Sequence, residues 1–186
     1  MKKRHLALGL AALVVGGGFV ANEIASNQFR LSRVPEGVGA TRVLYAKEKS
    51  WGWGGPGDNE IGVIVYPLSG EAAQRAALEG IPYLTHLRQP RAEWNDQFDN
   101  WSETPIRGDF RWLKTNSWGE AWPKGHKPSI TNYLYESGDY IDFDNAIVTQ
   151  INSAIFEIGS YYAISRHGEI IIVTPKLHRI FIVYAG

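Results

Sequence analysis

The chain of 186 residues contains no cysteine. Disulfides, thiol nucleophiles, cysteine-ligated zinc and a lipid attached through cysteine are therefore excluded. The redox compartment stays open, because a cysteine-free domain tolerates either. An excess of one charge is also lacking: 19 Lys and Arg stand against 19 Asp and Glu. With Lys2, Lys3 and Arg4 set aside, 16 basic residues face 19 acidic ones, and no basic block follows. Such a surface does not attract nucleic acid or anionic lipid.

Familiar catalytic patterns are absent as well. His86, His126, His167 and His178 form no H-x-x-x-H or H-E-x-x-H pattern, so no metal site is expected. No serine stands in G-x-S-x-G, and no glycine pattern follows a strand as nucleotide folds require, so no cofactor is expected either. Hydrophobic content of 44% and charged content of 20% are ordinary for a folded protein.

What is present begins with the stretch Leu6 to Ala21, sixteen residues without a charged side chain, preceded by Lys2, Lys3 and Arg4. A basic start and an apolar run mark either a cleaved signal or a membrane anchor. At ~1.5 Å per residue the run spans about 24 Å as a helix, short of the roughly 30 Å hydrocarbon core. Length alone favours a signal sequence. Cleavage chemistry favours an anchor: a cut after Ala21, Ala25 or Ser26 places Phe19, Glu23 or Ile24 at the third-from-last position, where a small residue is wanted. A helix continuing through Asn22 to Phe29 would reach spanning length, with Ile24 and Phe29 at the interface. The expected partner of residues 6–21 is thus the membrane. The leading cations hold the N-terminus in the cytoplasm and place the domain outside, periplasmic in a Gram-negative cell, or secreted if the signal is cleaved.

Residues 22–39, broken by Pro35, Gly37 and Gly39, read as a linker, and residues 40–186 as one globular domain. Alternation and turn residues predict strands over 40–46, 61–68, 81–87 and 107–114, the third on an edge because of Pro82. Ser69 caps a predicted helix over 70–79 that Gly80 ends. Pro90 opens a second over 90–101, which puts Trp94, Phe98 and Trp101 on one face. Asp144 caps a third, running to Ile158 with Ile147, Ile151, Ala154, Ile155 and Ile158 inward. Segments 161–165, 169–174 and 179–184, joined by short turns, form an antiparallel meander. Strands 170–173 and 180–184 are so continuously apolar that both faces must be covered. The expected fold class is α+β, an antiparallel sheet with the C-terminal three-stranded meander and the 144–158 helix on one face.

Seven tryptophans all fall between residues 51 and 122. Ser50-Trp51-Gly52 recurs as Ser117-Trp118-Gly119, with Trp53 and Trp122 close by. An indole on a glycine-rich loop can stack on a sugar, dock a peptide or enter lipid headgroups. The default for an indole is burial. The candidate ligand-binding residues are Trp51, Trp53, Trp118, Trp122 and the neighbouring His126, with a glycan or a protein as ligand. Asp139, Asp142 and Asp144 lack the spacing of a calcium loop and suit helix capping. Asp58 and Glu60 are the alternative, an acid/base pair of an envelope hydrolase acting on glycan or peptide. A third possibility is a structural subunit of an envelope complex that adds a strand to an exposed sheet edge.

Overall fold

The computed structural model describes residues 23–51, 60–89, 97–116, 118–136 and 140–186. Its centre is a six-stranded antiparallel sheet in the order β1-β2-β6-β5-β4-β3. The strands are β1 (Tyr45–Ser50), β2 (Glu60–Pro67), β3 (Ser102–Glu103), β4 (Tyr161–Ile164), β5 (Ile170–Thr174) and β6 (Arg179–Ala185). The helices are α1 (23–31), α2 (Gly70–Glu79), α3 (Ile81–Thr85), α4 (Arg111–Lys114), α5 (Ile130–Leu134) and α6 (Asn145–Phe156). The expected α+β class and the C-terminal meander are present.

The continuously apolar central strands are explained by two cores, one on each face. Along β6, Ile180, Ile182 and Tyr184 face the first, with Ala72, Ala73 and Ala76 of α2 and Tyr83 and Leu84 of α3. Phe181 and Val183 face the second, with Trp112 of α4, Ile130 and Leu134 of α5, and Ile151 and Ile155 of α6. The two-residue period of a strand sorts alternate side chains into opposite layers. Alanines on α2 let that helix approach the sheet closely, as its composition suggests.

Local signals hold where the partner is a few residues away. The Ser69 side chain accepts from the Ala72 amide, and Gly80 ends α2 at φ 62. The Asp144 carboxylate accepts from the Ala146 amide, which accounts for it as a cap. Five expectations are corrected. Segment 81–87 is not an edge strand: Ile81–Thr85 is helical, with Pro82 in the first turn where a missing N–H costs nothing. Segment 107–114 is not a strand: Arg111–Lys114 makes one helical turn that buries Trp112 against Tyr133 and Phe156. The strand expected over 40–46 lies instead at Tyr45–Ser50, where it can pair with β2. Of the helix expected over 90–101, residues 90–96 lie outside the described residues and 97–101 are not helical. Phe98 and Trp101 are nonetheless buried in the first core, with the Gln89 side chain bonded to both the Phe98 amide and its carbonyl. Ile158, expected on the inward face of α6, lies past its end and is exposed.

The apolar run at 6–21 lies outside the described residues. Among the described residues no helix is long and apolar enough to cross a membrane. Within the stretch read as a linker, residues 23–31 are helical, and Val34 and Val38 are buried in the first core.

Candidate functional site

Two regions carry chemistry. The first is the hairpin after α4. Thr115 and Ala121 form an isolated antiparallel bridge, and Asn116 stiffens the tip between them. Its side-chain oxygen accepts from the amides of Trp118 and Glu120 at 3.0 and 2.9 Å, and its amide nitrogen donates to the Glu120 carboxylate at 2.9 Å. An asparagine bonding to backbone two residues on is the usual fastener of such a turn. At the tip Trp118 is 86% exposed. At the base, the Trp122 indole N–H donates to the Trp112 carbonyl at 3.2 Å, which ties the hairpin to a buried residue of the second core. The exposed imidazole of His126 stacks on Trp122 at 4.0 Å and 12°.

Of the five candidate residues, Trp118, Trp122 and His126 are therefore neighbours on one surface element. Trp51 is separate in the chain and different in setting: half-buried, packed against the second core, with the Lys49 ammonium 5.5 Å above its ring. Trp53 and Asp58 lie outside the described residues. Glu60 opens β2 and lines a cleft beside α1, whereas His126 belongs to the hairpin.

No sequence motif marks the second region. Register places Glu48 of β1 opposite Gly62 of β2, and Gly62 opposite Tyr184 of β6. The next position in that row, one residue before Ile170, is Glu169. One row of the sheet thus carries two carboxylates on either side of a tyrosine. Gly62 is required there, because a Cβ would stand 2.4 Å from the Tyr184 ring. Arg33 lies over that ring at 4.2 Å, pairs with Glu169, and approaches Glu48 at 3.8 Å. The Tyr184 hydroxyl and the Arg30 Nε both donate to Glu48 at 2.5 Å. The Tyr66 hydroxyl donates to the Arg30 carbonyl at 2.7 Å.

Electrostatics follow from burial. Burial pushes the Tyr184 phenol well above the ordinary tyrosine range, against the pull of Arg33 and with the help of Glu48. Tyr66 is raised for the same first reason. Burial opposes the charge on Arg33, but Glu169 and the tyrosines outweigh it and hold the guanidinium more firmly protonated than usual. Each carboxylate here accepts from a guanidinium or a hydroxyl, so the cluster is a fastening of α1 to the sheet rather than a poised acid or base. Between α1 and the strand ends is an open cleft of about 430 Å³ whose walls include Ala25, Ser26, Lys49, Ser50 and Glu60.

Among the described residues no group of three or more His, Asp or Glu side chains is arranged to hold a metal ion. Comparison with protein-family models, with curated proteins and with solved structures finds no match for this chain.

Proposed function

We propose that the protein is a membrane-tethered, extracytoplasmic binding domain whose ligand contact is the Trp118 hairpin, with Trp122 and His126 at its base. The observation that carries the reading is Trp118 itself. A large apolar side chain that is 86% exposed contributes nothing to the core, yet the turn beneath it is held by the Asn116 bonds. A backbone turn already fixed by those bonds need not be ordered when a partner stacks on the indole, which reduces the entropy lost on binding. A flat, isolated indole suits the apolar face of a sugar ring, so a glycan is the ligand class favoured over a protein. The apolar run at 6–21 with its leading cations supplies the tether and the orientation.

The test titrates the protein with β-linked N-acetylhexosamine oligomers while indole fluorescence is followed, for the native chain and for Trp118→Ala. A saturable change that Trp118→Ala abolishes at unchanged thermal stability supports the reading. A response that survives the substitution, or no saturable response, removes the glycan assignment. If Trp118→Ala unfolds the domain, the residue is structural and the contact surface is wrong. External protease acting on spheroplasts tests the orientation: a domain that resists digestion until the cytoplasmic membrane is lysed overturns it.

The two alternatives gain less. A hydrolase needs two groups facing across a substrate; of its candidates, Glu60 lines the cleft beside α1 and His126 stacks on Trp122, and no shared contact joins them among the described residues. Strand addition needs an inviting edge. The β1 edge carries Lys47, Glu48 and Lys49, the kind of charge that discourages pairing.

A further inference from the structure

The fastening of α1 bears on how the domain sits. An unstructured linker over 22–39 would let the domain wander by about 25 Å, at roughly 5–6 Å times the square root of 18 residues. The described chain leaves no such freedom. Arg30 and Arg33, at the end of α1 and just beyond it, are tied to Glu48 and Glu169 of the sheet, and the Tyr66 hydroxyl holds the Arg30 carbonyl. Ile24, three residues beyond Ala21, lies at most about 11 Å of extended chain from the apolar run. The polar headgroup layer on each side of a bilayer is roughly 5–8 Å deep.

The same end of the sheet carries further residues suited to that layer. The N-terminal part of α1 shares its cleft with Lys49, Ser50 and Glu60, and Trp51 follows directly. Ile24 and Phe29 are exposed on α1, at 53% and 43%. Aromatic rings and snorkelling lysines concentrate where a protein meets headgroups. Lys49 and Glu60 at one rim give mixed charge, which matches a zwitterionic headgroup better than an anionic one.

We propose that the end of the sheet where α1 meets Ser50 and Glu60 is a bilayer-contact surface, with Ile24, Phe29, Lys49 and Trp51 seated among zwitterionic lipid headgroups. The domain is thereby held against the membrane at a fixed orientation. This rests on residues 6–21 being the anchor. The sheet then stands away from the bilayer: β6 has 7 residues, about 24 Å at 3.4 Å per residue, so the β5–β6 turn at its far end lies outside the headgroups.

The absence of cysteine makes the test direct. Ser50→Cys and Leu177→Cys each introduce one thiol, at the near end and in the far turn, both at exposed positions. The full-length protein is reconstituted into phosphatidylcholine vesicles, labelled with a nitroxide, and exposed to a nickel chelate borne on lipid headgroups. The expected result is severalfold stronger relaxation at position 50 than at 177. Equal relaxation in protein that floats with the vesicles overturns the seating while leaving the anchor standing. Protein that does not float overturns the anchor itself. Adding Arg30→Ala and Glu48→Ala to the Ser50→Cys chain should erase the contrast without affecting flotation, and a contrast that persists shows that the clamp does not set the orientation. Should that variant fail to fold, the comparison of positions 50 and 177 in the otherwise native chain decides the proposal.

Discussion

Replacing Arg33 with methionine removes the guanidinium and keeps most of the side chain's apolar length. It takes from the Glu169 carboxylate, in a residue only 5% exposed, the guanidinium it pairs with just beyond α1. Truncating one member of a buried pair costs about 3–5 kcal/mol, because the remaining charge stays desolvated. The side chain of Arg33 is itself 18% exposed, so the lower end applies, at about 3 kcal/mol including the lost contact with the Tyr184 ring. For a domain of this size that corresponds to a fall in Tm of about 6–12 °C, read by the far-UV circular dichroism of the full-length protein. The second arm is Arg33→Met with Glu169→Leu. Removing both charges replaces a buried pair by apolar packing, and such replacements are close to neutral or stabilising. The double variant should therefore recover to within about 1 kcal/mol of the native chain. The cost of the single substitution should also persist in high salt, since a buried pair is screened less than a surface one. A loss below about 1 kcal/mol, the range of exposed pairs, or a double variant no better than the single, would refute the assignment of Arg33 as the buried fastener of α1.

Three further outcomes follow from the same structure. Gly62→Ala should destabilise the fold by about 1–3 kcal/mol by forcing the Tyr184 ring aside, because that ring is pinned by Arg33 and Glu48; chemical denaturation should show the cost shrinking in a Tyr184→Ala background. Burial raises Tyr66, Tyr133 and Tyr184 above the usual tyrosine range, so their contribution to stability is complete below the unfolded pKa of about 10 and lost as pH rises beyond it. An ultraviolet titration should find these three phenols silent until the domain unfolds in alkali, and early titration of all nine tyrosines would contradict it. Asp144→Ala should cost about 1 kcal/mol through loss of the α6 cap, measured by urea denaturation, whereas Asp144→Asn should cost little.

Residues 40–51 and 107–114 show where reading along the chain stops. Thr41, Arg42, Val43 and Tyr45 alternate well enough for a strand, but the strand forms five residues later, where β2 supplies backbone partners. Phe110 and Trp112 alternate with charges as a strand would, yet Trp112 finds its pocket among Tyr133 and Phe156 by way of a single helical turn. Pairing and packing of this kind outweigh weak local preference. At the candidate site, the exposure of Trp118 was one of two possibilities open to any loop tryptophan, and only its surroundings separate it from Trp51. Glu169 stands directly before the apolar run 170–173, whereas Glu48 sits between Lys47 and Lys49 and looks like any solvated charge. Without knowledge of the strand order nothing joined them.

The sequence by itself determined the caps of α2 and α6, the C-terminal meander and the two covered faces of its strands. Those features rest on neighbours a few residues apart or on simple alternation, which the chain carries locally. Tertiary structure alone decided that Arg33 meets Glu169 and that Tyr184 meets Glu48, both across 136 positions of sequence. Such pairs exist only after β6 has been inserted between β2 and β5, because strand order, unlike a helix cap, is a property of the whole sheet.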